Sequence, residues 1–367
     1  MVSINSHERE LGTDIHNSFT MKKLKIGLIG AGMIAEQHAS GLLKTGRVDI
    51  IWVARQNGAL LQEFQDKFGI PKGTTNYQDL LNDPEVDAVV ITTPPADHYQ
   101  MFLEAMKAGK HVLLEKPMAI SLEEVDRMVE VRQSYPHLKV LDCSCRHTHL
   151  QPKFGFVKNL IDTGVLGEIY FIHHNSVAMQ KRPGIEYHPS AKWFLDKSQA
   201  GGGPIMDWGV YDLAFHLGLL SNQPELVKVT PFFIRQGLDK KDPGTAIYDV
   251  EEHFAARLVF DSGLEYYWER AAHANMMVPN ESRIYGTKAG VKLSFCTWDS
   301  NKIELFGVDK DSKGEAFTQT FEVDVSAQVD GDELSKHFVE VLDGTAEPMM
   351  PLELAAKHLR ILQKIYA

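Results

Sequence analysis

The first group of residues whose spacing suggests chemistry is a glycine-rich run near the start of the chain. Gly30, Gly32 and Ala35 form the pattern G-x-G-x-x-A, with Met33 and Ile34 between the second glycine and the alanine. In this pattern the first glycine permits a tight turn, the second lets the backbone approach a pyrophosphate, and the small third residue allows close packing of helix on strand. A helix that begins there offers free N–H groups and a positive dipole end to phosphates. The run therefore predicts dinucleotide binding at Gly30, Gly32, Met33 and Ile34.

The end of the second predicted strand bears on which dinucleotide is bound. A carboxylate about 20 residues after the glycines would bind the adenosine ribose hydroxyls and favour NAD. This chain instead has Val53-Ala54-Arg55-Gln56 at that point. The guanidinium of Arg55 suits a 2′-phosphate as cation and as donor, although an arginine at a loop start can also be an ordinary surface residue. The sequence thus favours NADP, with NAD as the alternative.

Three further residues are of types that assist proton transfer. Lys116 follows a predicted parallel strand at its carboxyl end, where open α/β sheets place ligands, and the next residue, a proline, keeps it in an extended turn. Asp207 and Tyr211 are four residues apart on a predicted helix and so share a face. The glycines 201–203 before them are expected to let that loop approach a ligand closely. A phenol with a pKa near ~10 can donate a proton to a carbonyl, and a neighbouring Lys116 cation would favour the phenolate that oxidation needs.

The elements that position these residues alternate in the first part of the chain. Short β-branched runs and helical patterns follow one another over residues 22–145, which predicts a parallel, doubly wound sheet. After about Cys145 strand-like segments predominate, which favours a large, mostly antiparallel open sheet. The predicted fold is therefore α/β followed by α+β, with a Rossmann dinucleotide-binding domain (22–145) and a C-terminal domain for substrate binding and oligomerisation (146–367). The last predicted helix, 352–366, is a candidate to pack back on the first domain.

Composition and charge exclude several classes of function. The chain has 367 residues and a formal net charge of -11. This acidic balance argues against a nucleic-acid or acidic-membrane surface, which needs clustered lysine and arginine. No segment approaches the roughly 18 apolar residues of a membrane span. Residues 1–21 are polar and lack an apolar signal core, so we interpret them as a disordered extension of a cytoplasmic protein.

The cysteines do not form a disulfide framework, since the chain has 3 of them. Two belong to the run Cys143-x-Cys145-x-His147-x-His149, whose four side chains would share one face of a strand. Six residue steps on a strand span roughly 20 Å, which is too far for one metal ion, although an adjacent pair could chelate with outside help. We predict buried strand residues here and no metal.

Together these motifs resemble the Gfo/Idh/MocA family of sugar and polyol oxidoreductases. The resemblance runs from Lys22 to the C-terminal helix. It rests on the glycine run, on Glu115-Lys116-Pro117, on Ala200-Gly201-Gly202-Gly203-x-x-x-Asp207-x-Gly209-x-Tyr211, and on the stretch Thr92–His98. Val53-Ala54-Arg55 looks most like the NADP-using branches, such as the dihydrodiol dehydrogenases. The resemblance implies an NAD(P)-dependent dehydrogenase or reductase acting on a sugar, a cyclic polyol or a related diol.

The resemblance also implies roles for individual residues. In the family the lysine at the position of Lys116 contacts the reacting hydroxyl or carbonyl, and its bond to the proline is often cis. The position of Tyr211 usually holds histidine, and branches with tyrosine there use the phenol as acid/base. We therefore expect Tyr211 as acid/base, Lys116 as orienter and electrostatic helper, and Asp207 as substrate-hydroxyl acceptor or structural carboxylate. Further candidates for the cofactor are Thr93, Pro94, His98, Glu115 and Lys116, and those for the substrate are Arg146, Arg182, His188 and Trp193.

Two other functions stay open at this point. Some relatives are glycosidases that retain NAD and oxidise the sugar transiently, and a galactose-responsive repressor uses a similar fold as a dinucleotide sensor. The missing carboxylate after strand two disfavours the first, and the retention of Lys116 and Tyr211 disfavours the second. The resemblance also implies a small-molecule sugar or polyol as the substrate. A homodimer or homotetramer is expected through the open sheet face, because pairing would bury its apolar surface.

Overall fold

The first domain is built on a six-stranded parallel sheet, sheet A. The computed structural model describes residues 22–179, 181, 191–239, 244, 247–309, 314–326 and 329–367. The strands of sheet A are β1 (Leu24–Ile29), β2 (Val48–Ala54), β3 (Lys72–Thr74), β4 (Ala88–Ile91), β5 (His111–Leu114) and β6 (Val140–Asp142). They pair in the order β3-β2-β1-β4-β5-β6, and every pairing is parallel. The predicted doubly wound sheet is therefore confirmed.

Five helices connect these strands. They are α1 (Met33–Lys44), α2 (Gly58–Phe68), α3 (Tyr77–Asn82), α4 (Pro95–Lys107) and α5 (Leu122–Ser134). Local signals fix several of their ends: Gly69 stops α2 in the left-handed region with φ 65°, and Ser121 and Glu124 form a capping box at the start of α5. Because helices cover both faces, β4 is apolar and buried throughout, and β5 is apolar and buried after its first residue, His111.

The segment that joins the two domains does not continue as a strand. After β6 the chain turns through a short 3₁₀-helix, Cys143–Cys145. The turn forms because the Asp142 side chain accepts hydrogen bonds from the backbone N–H and hydroxyl of Ser144, at 2.8 and 2.5 Å. The prediction that the run from Cys143 to His149 lies on one face of a strand is therefore wrong. Both cysteines of the run are buried and free.

The second domain is built on an eight-stranded sheet, sheet B. Its strands are β7 (Ile169–Val177), β8 (Leu226–Arg235), β9 (His253–Phe260), β10 (Glu265–Ala271), β11 (Val278–Gly286), β12 (Ala289–Leu293), β13 (Lys302–Asp309) and β14 (Glu315–Glu322). They pair in the order β14-β13-β12-β11-β7-β10-β9-β8. The pairing of β7 with β10 is parallel and the others are antiparallel. The predicted large, mostly antiparallel sheet is confirmed.

The helices of the second domain pack on one face of sheet B and on the first domain. They are α6 (Pro152–Asp162), α7 (Lys197–Ala200), α8 (Pro204–Leu219), α9 (Asp330–Leu342) and α10 (Leu352–Tyr366), with a 3₁₀-helix at Lys192–Leu195. The C-terminal part of the chain returns to the first domain: Arg47 forms a two-point ion pair with Asp343, directly after α9, and Arg360 of α10 binds Asp126 of α5. The sequence analysis did not identify α9. None of the helices in the described segments is long and apolar enough to cross a membrane.

Helix α8 lies between the two domains and is anchored to sheet B by a buried ion pair. The Asp212 carboxylate accepts hydrogen bonds from Arg270 Nε and Nη2 at 2.7 and 2.6 Å, and from Trp268 Nε1 at 2.9 Å. Burial alone would raise the pKa of Asp212, but Arg270 and His174 hold it below its usual range. A charge this deeply buried persists because a guanidinium and an indole N–H satisfy it. The pair fixes the rotation of α8 and hence the direction of its other face.

Replacing Asp212 with asparagine should destabilise the fold severely. The change leaves the Arg270 guanidinium buried without its counter-ion, which costs about 3–5 kcal/mol of unfolding free energy in urea titrations. Because the pKa of Asp212 is depressed, the wild type should also lose this stability as the pH falls below about 4, and the variant should lack that acid-dependent loss.

The surface variant Asp126→Asn is the matched control. It removes the partner of Arg360, but the Asp126 side chain is 62% exposed, so the free energy of unfolding should change by less than about 1 kcal/mol. Equal stability of Asp212→Asn and Asp126→Asn would contradict the anchoring role of the buried pair.

Candidate active site

The glycine loop between β1 and α1 has the geometry that a pyrophosphate requires. Gly30 has φ +103°, and a Cβ there would lie 2.5 Å from Thr92 Oγ1, so only glycine fits. A Cβ at Gly32 would meet nothing within 4 Å, so this glycine leaves open space beside the backbone. No side chain caps α1 at Gly32, which leaves the first N–H groups of the helix free for an anion. The loop therefore fits a dinucleotide phosphate.

Arg55 follows β2 and crosses back to the glycine loop. Its Nη1 donates a hydrogen bond to the backbone carbonyl of Ala31. The side chain is part-buried and lies next to the loop, rather than extending freely into solvent. This position brings a guanidinium to the carboxyl ends of β1 and β2, where an adenosine ribose would lie in a Rossmann domain.

The turn after β5 carries Lys116, and the buried side chain of His98 contacts this turn from inside the protein. The Lys116–Pro117 peptide bond is cis. His98 is fully buried, and its Nδ1 and Nε2 each lie 2.9 Å from a backbone carbonyl, those of Pro117 and Thr93. Burial lowers the pKa of His98, while its two carbonyl contacts act in the opposite direction, and the ring links the two loops. His98 therefore supports the cofactor loops from within, while Thr93 and Pro94 are half-buried at the loop itself.

Glu115 is the centre of a buried hydrogen-bond network under that turn. Its Oε1 accepts from His38 at 2.8 Å and from Arg146 at 2.5 Å, and its Oε2 accepts from the Lys116 backbone N–H at 3.1 Å. Burial alone would raise the pKa of Glu115, but Arg146 and His38 hold it well below its usual range. Three donors therefore bind this carboxylate, which holds the Lys116 turn in place from inside the protein.

The same network contains a histidine, a carboxylate and a thiol in close proximity. Ligand atoms of His38, Glu115 and Cys143 lie within 4.8 Å of one another. The chemistry of this donor set does not suit a cation, because the Arg146 guanidinium already neutralises Glu115 and burial raises the pKa of the Cys143 thiol. The cluster is a structural support.

Asp207 and Tyr211 lie on one face of α8, as their spacing predicts. The Lys116 ammonium donates to Asp207 Oδ1 at 2.5 Å and to the Asp207 backbone carbonyl at 2.8 Å. The Lys116 Nζ also lies 5.1 Å from the centre of the Tyr211 ring, over its face. The structure thus brings the three predicted residues together at the carboxyl end of β5, although they are about 90 residues apart in sequence.

The glycines before α8 pack closely against the protein, and their approach to a ligand stays a prediction. A Cβ on Gly203 would collide with the backbone carbonyl of Glu251, and a Cβ on Gly202 with the Tyr366 hydroxyl. The Glu251 carboxylate accepts from the N–H groups of Gly203 and Ile205 at 2.8 and 2.9 Å. It therefore caps the N-terminus of α8 and fixes where the helix begins.

Arg146, rather than Lys116, is the cation at the Tyr211 hydroxyl. Its Nη2 donates to the phenolic oxygen at 2.7 Å, while Lys116 contacts the ring face. Tyr211 is 2% exposed, and burial raises the pKa of its phenol well above the usual value although Arg146 acts in the opposite direction. Because the oxygen accepts from Arg146, the hydrogen of the phenol is free to be donated elsewhere.

Arg146 and Trp193 were predicted as substrate contacts. Arg146 is 5% exposed and engaged by Glu115 and Tyr211, so it lies behind the reacting groups. The Trp193 ring stacks on Phe194 at 3.8 Å in the 3₁₀-helix before α7. Arg182 and His188 lie outside the described residues.

The sequence does not predict four further residues of this region: His147 and Trp208, which contact the Tyr211 ring, and Trp298 and Asp330, which contact His147. The His147 ring lies 4.8 Å from the Tyr211 ring, and its Nδ1 forms a short contact with Asp330. In the sequence His147 belongs to the cysteine–histidine run, whose spacing predicts a strand. Asp330 begins α9, and Trp298 lies in the loop after β12, so no sequence spacing connects them to the site.

Comparison with known proteins agrees with this architecture. A model of an oxidoreductase family with an NAD-binding Rossmann fold, named GFO_IDH_MocA, matches residues 24–138, and the GFO/IDH/MocA C-terminal domain matches residues 154–292. Trans-1,2-dihydrobenzene-1,2-diol dehydrogenase from Danio rerio is 25% identical over 78% of this chain and 79% of its own length. A D-xylose 1-dehydrogenase (NADP(+)) from Haloarcula marismortui is 30% identical over 60% of this chain and 57% of its own length.

A solved structure shares the fold over nearly the whole chain. Levoglucosan dehydrogenase in complex with NADH and L-sorbose superposes with a TM-score of 0.80 at 18% identity, covering 94% of this chain and 96% of its own. The two family models together with this fold show that the resemblance found in the motifs extends over both domains. The chain therefore belongs to the Gfo/Idh/MocA family and is an NAD(P)-dependent oxidoreductase.

Proposed function

We propose that this protein transfers a hydride between NADP(H) and a sugar, a cyclic polyol or a related diol, with Tyr211 as acid/base. The observation that carries the proposal is the contact of Lys116 with Asp207 over the Tyr211 ring, at the carboxyl end of β5. The relatives named for D-xylose and dihydrodiol oxidation support the class of substrate. The glycine loop and Arg55 lie at the same edge of sheet A and would hold the dinucleotide, whose nicotinamide ring supplies or accepts the hydride when bound.

Each of the three residues has a separate task in this proposal. The Lys116 ammonium orients the reacting oxygen and stabilises negative charge on it. The Asp207 carboxylate keeps Lys116 in place through the 2.5 Å contact and accepts a hydrogen bond from a substrate hydroxyl. Tyr211 donates its proton to the carbonyl oxygen during reduction, and Arg146 stabilises the phenolate that remains.

The raised pKa of Tyr211 favours the reductive direction at neutral pH. A donor must be protonated, and burial keeps this phenol protonated beyond the usual tyrosine range. Oxidation would require the phenolate, which forms only when Arg146 offsets the cost of burial. We therefore propose that the carbonyl compound is the better substrate near neutral pH.

Tyr211→Phe should lower kcat for reduction by about 10²–10⁴-fold, because it removes the proton donor. The wild-type kcat for reduction should stay level from about pH 7 to pH 10, since the donor remains protonated throughout. Steady-state assays with NADPH and a panel of ketoses and aldoses test both points. Tyr170→Phe is the matched control, because Tyr170 is 50% exposed at the far end of β7. Retention of more than half of the wild-type kcat by Tyr211→Phe, with unchanged NADPH binding, would rule out the acid/base role.

We propose NADP as the preferred cofactor because Arg55 lies beside the glycine loop and β2 ends without a carboxylate. Arg55→Ala should raise the dissociation constant of NADPH by about 10–100-fold, the range expected when hydrogen bonds to a charged group are lost. The binding of NADH should change little, which also verifies that the loop stays intact. Fluorescence titration measures both constants, with the surface variant Arg127→Ala as control. Tighter binding of NADH than of NADPH by the wild type would overturn the assignment.

We also propose that copies of this chain pair through the open face of sheet B. A continuous row of rings lies on that face: Phe171 contacts Tyr285 at 5.3 Å, and Tyr267 contacts His173 at 4.8 Å and Phe232 at 5.6 Å. Phe232 is 52% exposed. Apolar surface of this kind is generally buried by association.

Phe232→Glu should weaken this association, because it places a charge within the aromatic row. Size-exclusion chromatography with light scattering should show a dimer or tetramer for the wild type and a smaller species for the variant. Leu122→Glu is the control, since Leu122 is 44% exposed on α5 of the other domain. A wild-type monomer at micromolar concentration would exclude the proposed interface.

We base a proposal for the compartment on the cysteines. All three are free and buried, which favours a reducing environment, and we propose the cytoplasm.

A further inference from the structure

Aromatic rings lie next to Tyr211: the His147 ring is 4.8 Å and the Trp208 ring 5.4 Å from the Tyr211 ring. The His147 ring lies 6.2 Å from Trp208 with nearly parallel planes, and 5.1 Å from Trp298 with perpendicular planes. Trp208 and Trp298 are themselves 6.1 Å apart. The residue next to Trp208 is Asp207, so this aromatic wall, made of His147, Trp208 and Trp298, continues directly from the Lys116–Asp207 pair.

Two of the three rings are fixed from behind. The Arg270 guanidinium lies 5.0 Å from the Trp208 ring centre and covers one face of the indole. His147 is held at Nδ1 by Asp330, and its Nε2 lies 3.4 Å from Arg146 Nε. These contacts determine the plane of each ring without a ligand. The wall is therefore preorganised, which reduces the entropic cost of binding.

Trp298 is 57% exposed, yet its loop is rigidly held. The fully buried Lys153 donates to three backbone carbonyls of the loop, those of Ser294, Cys296 and Ser300. Asp299 Oδ2 accepts from Ser294 Oγ at 2.8 Å and from Asn280 at 3.1 Å. An exposed indole on a fixed loop next to a reactive cluster differs from an ordinary surface tryptophan, because its face is available for contact with a ligand.

Each described cation beside the wall is paired with a carboxylate, and a further carboxylate, that of Asp330, contacts His147. The pairs are Lys116 with Asp207 at 2.5 Å, Arg146 with Glu115 at 2.5 Å and Arg270 with Asp212 at 2.6 Å. A phosphorylated or acidic sugar would need an additional cation to offset its desolvation. The surroundings therefore match a neutral ligand.

We propose that Trp298, with Trp208 and His147, forms a subsite that packs against the apolar C–H face of a neutral, cyclic sugar or polyol while Lys116 and Asp207 hold its reacting oxygen. The assignment rests on the proposed function and specifies its substrate class. A cyclic sugar has a flat patch of C–H groups that the face of an indole can cover. An open-chain polyol has no C–H patch of fixed shape. The subsite contributes to binding and leaves the chemical step to Lys116 and Tyr211.

Trp298→Ala should raise KM for ring substrates by about tenfold and leave kcat within about twofold, because the contact is the same in the ground and transition states. The probes are myo-inositol, D-xylose and 1,5-anhydro-D-fructose as neutral rings, D-glucose 6-phosphate as a charged ring and glycerol as an open chain. Trp298→Phe should recover part of the loss. The dissociation constant of NADPH should stay unchanged in both variants.

Tyr170→Ala is the matched control, since it also removes a half-exposed aromatic side chain, which lies about 23 Å along β7 from Val177 at the other end of the strand. It should leave KM unchanged. An unchanged KM in Trp298→Ala for a ring substrate that the wild type turns over would overturn the subsite but not the proposed function. A preference for the charged ring over the neutral ones would also overturn it. Absence of turnover of the whole panel, and of any sugar-dependent change in tryptophan fluorescence, would overturn the proposed function itself.

Discussion

A carboxylate buried where the two halves of the chain meet needs partners, and Glu115 obtains them from three separate segments. His38 comes from α1, the backbone of Lys116 from the turn after β5, and Arg146 from the segment that joins the domains. Leaving any of these contacts unmade would expose a charge to a low-dielectric interior. The geometry of the reactive turn therefore depends on correct packing of the glycine-loop helix, sheet A and the interdomain segment at the same time.

Helix α8 connects this network to the second domain. Its residue Tyr211 accepts a hydrogen bond from Arg146, and the next residue, Asp212, forms the buried ion pair with Arg270 on β10. Consecutive helical residues point about 100° apart, so one helix can contact both networks at once. The capping of its first turn by Glu251 fixes its start. As a result Asp207, one turn before Tyr211, meets Lys116 without adjustment by a ligand.

The two cations near Tyr211 have different functions because they contact different parts of the residue. Arg146 binds the phenolic oxygen from the buried side, while Lys116 lies over the ring and on Asp207, with 12% of its side chain exposed. A guanidinium remains charged when buried, which suits the inner position, and an ammonium at the cleft can meet a reacting oxygen. Each is neutralised by its own carboxylate, so the site gathers several charges without a large local excess.

The sequence by itself determined the features that depend on local spacing and backbone sterics. The glycine loop, the alternation that builds sheet A and the shared face of Asp207 and Tyr211 all follow from periods of a few residues, and Gly30 needs its positive φ whatever surrounds it. Only the tertiary structure decided which side chains meet across long separations. It placed Arg146 rather than Lys116 at the phenol and buried His98 between two loops. It also brought Asp330 of α9, a helix that the sequence does not predict, to His147, and packed Gly202 and Gly203 against Tyr366 and Glu251. Such contacts depend on how separate elements pack against each other. The spacing of residues within one element does not indicate which residue of another element will contact it.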